Sequence, residues 1–249
     1  MNVTVAAVAL APGLAVGSFL NVVASRVPLR LPIGTSRSRC MSCAHEIAAR
    51  DNVPLLSYLL LQGRCRNCSA RIPMRYPAVE SVTALMGFLC VLRFGATLDA
   101  LIAAFFCAVL VAIATIDIEH RSVPNRVVLP AAVIVLGAQT IVHWSLEWTI
   151  AALAASLFLF LVALAYPYGL GMGDVKLALL LGAMLGRNVT VALMLGAVAA
   201  LVPAAVLIAR HGSKARKLAI PLAPFLALGA LVSLFGGNAI LDWYLSLTS

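Results

Sequence analysis

Gly171-Met172-Gly173-Asp174-Val175-Lys176-Leu177-Ala178-Leu179-Leu180-Leu181-Gly182-Ala183-Met184-Leu185-Gly186 decides how this chain folds. The run after Lys176 is charge-free but short, because a crossing needs about 20 apolar residues for about 30 Å of hydrocarbon. Seven other apolar stretches are long enough to be unambiguous: Met1–Ser25, 81–92 extended by Pro77–Glu80, Ala100–Ile116, Val127–Leu146, Trp148–Gly173, Asn188–Ala209 and Leu218–Leu241. If the short run also crosses, only Arg93 and Arg187 of the 18 Lys and Arg lie outside. If it does not, the cluster Arg210, Lys214, Arg216 and Lys217 moves outside, against the inward bias of basic residues. The short run is therefore counted as a span, and Trp144, Trp148, Trp243 and Tyr244 then form an outer aromatic belt.

Composition sets the same class. Of 249 residues, 63% are apolar and 11% charged, with a mean hydropathy of +1.03. Soluble domains average about 45–50% apolar and about 25% charged, so lipid must solvate this chain. That excludes secreted mini-proteins, disordered chains and cytosolic nucleic-acid binders. The net charge of +9 reports cytoplasmic loops beside anionic lipid rather than a nucleic-acid partner. No basic residue precedes Arg26, so the first stretch is no cleavable signal peptide, and an outside N-terminus is expected. The fold expected is all-α and integral to the membrane, with about eight transmembrane helices. It divides into a first transmembrane helix (1–25), a cytoplasmic insert (26–76) and a multi-helix membrane domain (77–249). No internal repeat is evident.

The insert holds nine Arg against Glu46 and Asp51, too little chain for a strong core of its own. It also holds Cys40-Met41-Ser42-Cys43 and Cys65-Arg66-Asn67-Cys68, two C-x-x-C knuckles separated by 21 residues. Two residues between thiolates let both sulfurs reach one tetrahedral ion, so the pattern predicts a zinc site. Four thiolates leave no open coordination position, which makes this zinc structural, a staple for a domain unable to fold alone. Disulfides are the other reading of such spacing, and a cytoplasmic position argues against them. His45 is a bystander, and Cys90 and Cys107 are packing residues in apolar helices.

Acids number nine, and those at membrane depth are functional candidates because burying charge in hydrocarbon is costly. Asp117 ends the third span and Asp174 opens the short sixth one, both at the cytoplasmic end in this topology. Two carboxyls brought face to face compete for one proton, which suits amide hydrolysis. The ionised one draws a proton from water, and the protonated one polarises the scissile carbonyl. Gly171 and Gly173 fit, since backbone without side chains lets a substrate approach. The plainer reading keeps Asp174 as a helix cap and Asp117 in interfacial water. Asp99 reads as the cap of the third span, and Glu119 and Asp242 as solvated ends. Glu80 lies one turn into the second span, either near the site or paired with Arg75 or Arg71. The helix that Asp174 opens is about 13 residues, near 20 Å. That shortfall predicts a thinned bilayer or a water-filled notch.

With these residues in hand, the chain resembles the type IV prepilin peptidases, membrane aspartyl proteases of the GxGD class. The resemblance runs through Gly17-Ser18-Phe19-Leu20-Asn21, Arg26-Val27-Pro28, both knuckles, Pro54-Leu55-Leu56-Ser57-Tyr58 and Arg75-Tyr76-Pro77-Ala78-Val79-Glu80. It continues through Asp117 seven residues before Pro124, Gly171-Met172-Gly173-Asp174-Val175-Lys176 and Pro221-Leu222-Ala223-Pro224 onward to Gly229. It implies cleavage of the basic leader of prepilins or pseudopilins at the cytoplasmic face of the bacterial inner membrane, with Asp117 and Asp174 as catalytic pair. It also implies N-methylation of the new N-terminus with S-adenosylmethionine, a step for which the chain shows no nucleotide-binding fingerprint. Asn125 stands where many relatives carry Asp, a change expected to matter little. The insert's arginines would repel a basic leader and suit membrane lipid phosphate instead. Two further readings stay open: a GxGD protease of other membrane substrates, and a non-enzymatic transporter or assembly scaffold using the acids as an ion site.

Overall fold

The computed structural model of the chain describes residues 3–34, 38–166, 170–211 and 221–248, and among them all regular structure is helical. The first apolar stretch forms α1 (Val3–Ala7) and α2 (Leu10–Arg26), broken at Val8–Ala9. Pro12 explains the break: it has no N–H for the Val8 carbonyl, and its ring crowds that carbonyl. α3 (Leu56–Leu60) is a single short helix within the insert. α4 (Arg75–Phe94) stops at Gly95, whose φ of 81° only glycine adopts freely. α5 (Leu98–His120) is capped by Thr97, whose Oγ1 accepts the Ala100 amide at 3.3 Å. The cap is thus Thr97 rather than the expected Asp99, which lies in the first turn. α6 (Asn125–His143), α7 (Glu147–Ala165), α8 (Met172–Leu185), α9 (Val189–His211) and α10 (Ala223–Thr248) complete the set.

Among the described residues, seven helical runs are long and apolar enough to cross a membrane. One of them, Met172–Arg210, is 39 residues and contains both α8 and α9. Contacts show that the chain reverses between them. α10 lies at Asp117 through Ala223, the end where Asp174 opens α8. Further along, near the middle of α10, Ser233 and Asn238 bond Asn188, just past the end of α8. α10 thus runs in the sense of α8. α9 packs antiparallel to α10, Ala192 and Gly196 meeting Gly229 while Asn188 meets Gly237. The turn at Gly186–Asn188, with Gly186 at φ 55°, makes the reversal. α8 is therefore a separate helix of 14 residues, about 21 Å long. Nine of those residues are buried, so the short helix is surrounded by protein instead of reaching for lipid. Of the basic residues used to set topology, Arg37, Lys214, Arg216 and Lys217 lie outside the described residues, as do the ends Met1–Asn2 and 218–220 of the first and last stretches.

Packing divides the chain within α5 into two units, Met1–Ala112 and Ile113–Ser249. In the first, α2 and α4 pack antiparallel at the closest distance that backbones allow. A Cβ on Gly13 would lie 2.6 Å from the Ala84 Cα, and one on Gly17 would lie 2.6 Å from the Glu80 Cα. Gly13-x-x-x-Gly17 thus forms the small-residue face that lets membrane helices touch where no hydrophobic effect drives them together. Leu20, Val79, Ala108 and Ala112 extend this seam into a buried cluster. In the second unit, α7 and α8 are antiparallel, with Gly182 against Ala151 and Ala152 and the Ser156 hydroxyl donating to the Val175 carbonyl at 3.2 Å. α6 runs parallel to α8, joined by Lys176 Nζ to Asn125 Oδ1 at 2.8 Å and by Gln139 to Met184.

The seam between α2 and α4 gives a stability prediction. Gly17→Ala should cost about 1–3 kcal/mol, because the added methyl meets backbone that cannot give way. Gly137→Ala, where nothing lies within 4 Å, should be neutral or stabilising. Unfolding midpoints of both variants in lipid nanodiscs check this.

Candidate active site and metal centre

Asp117 sits in the last turn of α5 and is only 6% exposed. A carboxyl this deep needs donors, and it receives one from the start of α10: the Ala223 amide donates to Asp117 Oδ2 at 3.2 Å. The first amides of a helix have no partner inside it, so a helix start is a ready donor. Pro224 follows directly, where its missing N–H costs the helix nothing. The Arg121 side chain lies within electrostatic range of Asp117.

Asp174 is the third residue of α8 and closes that helix's first turn. The Gly171 amide donates to Asp174 Oδ2 at 3.3 Å, and the Asp174 amide donates to the Gly171 carbonyl at 3.1 Å. This is one half of a capping box, with the acid in the N3 place and the Gly171 carbonyl standing where a side-chain acceptor would be. The helix-cap reading and the functional reading therefore describe the same side chain. The carboxyls of Asp117 and Asp174, 57 positions apart in sequence, lie within electrostatic range of each other. Among the described residues, neither Oδ1 atom has a donor.

The two glycines before Asp174 do different work. A Cβ on Gly173 would stand 2.9 Å from the Val123 Cβ, so this glycine exists to let the α5–α6 loop lie against α8. A Cβ on Gly171 would make only ordinary contacts, with Asp174 Oδ2 at 3.6 Å and the Gly173 N at 3.9 Å, and Gly171 has ordinary extended backbone at φ −82°, ψ 149°. Of the pair expected to clear space for a substrate, only Gly171 is open. Lys176 fastens the same loop from the other side through Asn125. Nothing in sequence spacing announces the Val123, Asn125 or Ala223 contacts.

Glu80 is 7% exposed and pairs with neither Arg71 nor Arg75. Its Oε2 accepts the Leu55 amide at 2.7 Å, and the Ser18 hydroxyl is within hydrogen-bonding range. Leu55 holds φ 59°, ψ −47°, a strained conformation for a side-chain-bearing residue. The insert, α2 and α4 enclose a cavity of about 1140 Å3 whose wall includes Glu80, Asn21, Leu55 and Tyr58. This cavity was not foreseen from the sequence.

The four knuckle sulfurs all lie within 4.8 Å of one another, Cys40 and Cys68 at 3.8 Å. Tetrahedral bonds of about 2.3 Å place thiolates about 3.8 Å apart, so the group could hold a metal. The knuckles repeat one another. Cys40 and Cys65 amides donate to the carbonyls of His45 and Ala70, and Ala44 and Ser69 amides donate back to Cys40 and Cys65. Ala44 and Ser69 both take positive φ, and bridges pair Arg39 with Glu46 and Arg64 with Arg71. Amides of Cys43 and Ser42 aimed at the Cys40 sulfur hold its thiol down at about 6. The Ala70 amide favours the Cys68 thiolate, but the crowd of Cys43, Cys40 and Cys65 sulfurs, with burial, pushes it up to about 12. Four sulfurs this close ionise together only around a cation. Asp51 clamps Arg66 with contacts of 2.7–3.1 Å, which hold its carboxyl below the usual range. Cys90 and Cys107 are buried side by side, their sulfurs 3.8 Å apart.

Residues 12–94 match the model of the bacterial peptidase A24 N-terminal domain, and residues 104–208 match that of the type IV leader peptidase family. A prepilin leader peptidase/N-methyltransferase of Bacillus subtilis is 32% identical over 240 residues, covering 94% of this chain and 96% of that protein. One from Aeromonas salmonicida is 32% identical over 278 residues, covering 94% and 91%. One from Pseudomonas putida is 34% identical over 263 residues, covering 92% and 89%. No solved structure matches the chain.

The glycine contrast is directly testable. Gly173→Ala should displace the first turn of α8 from Val123 and lower activity about 100-fold, the cost of misplacing a reacting group by about 1 Å. Gly171→Ala should keep activity within about threefold. Steady-state cleavage of a precursor peptide separates the two.

Proposed function

Because the chain belongs to the type IV leader peptidase family, as a prepilin leader peptidase/N-methyltransferase, we propose that Asp117 and Asp174 are its catalytic pair. One observation carries this reading: two acids at membrane depth lie within electrostatic range, each held by a backbone amide through Oδ2. The Oδ1 atoms are left to a water and to the scissile carbonyl. The ionised carboxyl removes a proton from the water as it attacks, and the protonated one donates to the carbonyl oxygen; as the diol collapses, the first carboxyl passes the water's proton to the leaving amine and the second takes its own back. The backbone donors fix both side chains, so neither must reorganise during the reaction. Gly171, open beside Asp174, lets the substrate backbone come close.

The substrate in this reading is a type IV prepilin or pseudopilin precursor, cut at the cytoplasmic face of the bacterial inner membrane. The apolar helix of the precursor stays in lipid while its leader remains wet. The N-terminus lies outside, and the chain works in three parts: first span (1–25), insert (26–76) and protease domain (77–249). Zinc is the ion of Cys40, Cys43, Cys65 and Cys68, and it is structural because the four sulfurs complete its coordination. S-adenosylmethionine supplies an electrophilic methyl group when bound. The cavity of about 1140 Å3 is large enough for a ligand of that size, with Phe19, Pro54 and Tyr58 placed to hold it.

Two experiments test this. Asp117→Asn and Asp174→Asn should each lower leader cleavage by about 1000-fold or more, with mass spectrometry of a co-expressed pilin as readout; near-normal cleavage by either variant removes that residue from the pair. Metal analysis of purified protein should find one zinc per chain. Serine at any of the four cysteines, or a strong chelator, should unfold the insert, seen as new protease cuts within residues 26–76.

A further inference from the structure

The cavity of the first unit carries a feature that proteolysis does not use. α2 and α4 meet with Gly17 at the level of Glu80 and Asn21 at the level of Tyr76, so Asn21 and Glu80 line the cavity about one helical turn apart. Asn21 is 3% exposed. Its Nδ2 donates to the Tyr76 carbonyl at 3.1 Å, which fixes the orientation of the amide, and its Oδ1 has no partner. Buried acceptors are almost always satisfied, so an orphan on a cavity wall marks a missing donor.

Glu80 adds a second acceptor. The cavity wall holds three acids, and the other two are engaged: Asp51 with Arg66 and Glu46 with Arg39. Glu80 has only neutral donors, the Leu55 amide and the Ser18 hydroxyl, and no cation among the described residues. The strained Leu55 backbone is held in place by that carboxylate, which is where stored strain tends to mark function. The cavity wall also carries Arg26, Arg39, Arg50, Arg66 and Arg71, from the end of α2 and from the insert, whereas Asn21 and Glu80 share theirs with Phe19, Val22 and Pro77 of the same two helices. Two acceptors without a bonded cation are poor partners for a carboxylate or phosphate. They suit a group with several N–H donors at the end of an apolar segment. A primary ammonium offers three donors.

We propose that Asn21 and Glu80 form the subsite that receives the free α-amine of the cleaved pilin-type chain. This rests on the methyltransferase half of the function above, and it assigns the methyl acceptor's position. The cavity has room for this terminus beside a methyl donor.

The test uses full-length protein in lipid nanodiscs and a synthetic peptide of a mature type IV pilin N-terminal segment, with a free or an acetylated α-amine. The free-amine peptide should bind about 10- to 100-fold tighter, as charge-assisted hydrogen bonds imply. Glu80→Gln and Asn21→Leu should each bring that ratio within about threefold. Zinc content shows whether each insert is folded; if one variant loses zinc, the other decides. Equal binding of the two peptides by the parent chain, or an unchanged ratio in a folded variant, overturns the subsite. Methyl transfer is measured separately. A chain that prefers the free amine yet transfers no methyl supports the subsite and refutes the methyltransferase reading. A chain that methylates without amine preference does the reverse.

Discussion

Hydrocarbon offers no hydrogen bonds, so a polar atom held at membrane depth without a partner in the protein is costly. This constraint orders the described structure. Asp117 takes an amide from the start of α10, Asp174 takes one from its own helix cap, and Glu80 takes one from a loop of the insert. In each case the donor is a backbone N–H left over at a helix start or in an irregular segment. Such donors are rigid, carry no charge and leave the second carboxyl oxygen unused. A carboxyl satisfied by lysine or arginine would be stable in the membrane but less available for exchanging protons.

The same constraint decides how the helices approach. Lipid tails do not drive apolar helices together, so contact depends on how closely backbones can approach. Gly13 and Gly17 seat α2 on α4, Gly182 seats α8 on α7, and Gly196 and Gly229 seat α9 on α10. α8 can be short because these contacts surround it: its ends meet the loop at Val123 and the turn at Glu147, whose Oε1 accepts the Arg187 amide. A thinned bilayer is not needed to account for its length.

What was legible in the sequence is what local chemistry dictates. Apolar length and the placement of basic residues disclose the spans, including the separate short helix. Paired C-x-x-C knuckles disclose the sulfur cluster, and the scarcity of acids singles out Asp117 and Asp174. The knuckle repeat was also visible, in Arg-Cys-x-x-Cys at 39–43 and 64–68, but it is too brief to register as a repeat. The illegible part is long-range and mostly backbone. Ala223 is any alanine until the chain brings its amide to Asp117, 106 positions away. Gly173 reads as substrate clearance until Val123 occupies the space. Glu80 reads as lying near the site or as an arginine's partner, because sequence shows charges and hides amides. Asp99 reads as a cap because acids favour helix starts, whereas the hydroxyl two residues earlier has the better position.

The insert solves the opposite problem with opposite means. It is outside hydrocarbon, where water is available but apolar residues are too few to build a core, so charge does the work of packing. Among the described residues, four of its arginines are engaged internally: Arg66 on Asp51, Arg39 on Glu46, Arg26 on the carbonyls of Pro32 and Ile33, and Arg75 over the Tyr76 ring. Arg30, Arg50, Arg64 and Arg71 are exposed, and Arg50 and Arg71 also stand on the cavity wall. Exposed guanidiniums of that kind suit phosphate groups. They do not suit a basic leader, which would have to be held against like charge. The acceptors without a bonded cation lie at the α2–α4 side of the cavity, where Asn21 and Glu80 stand on its wall.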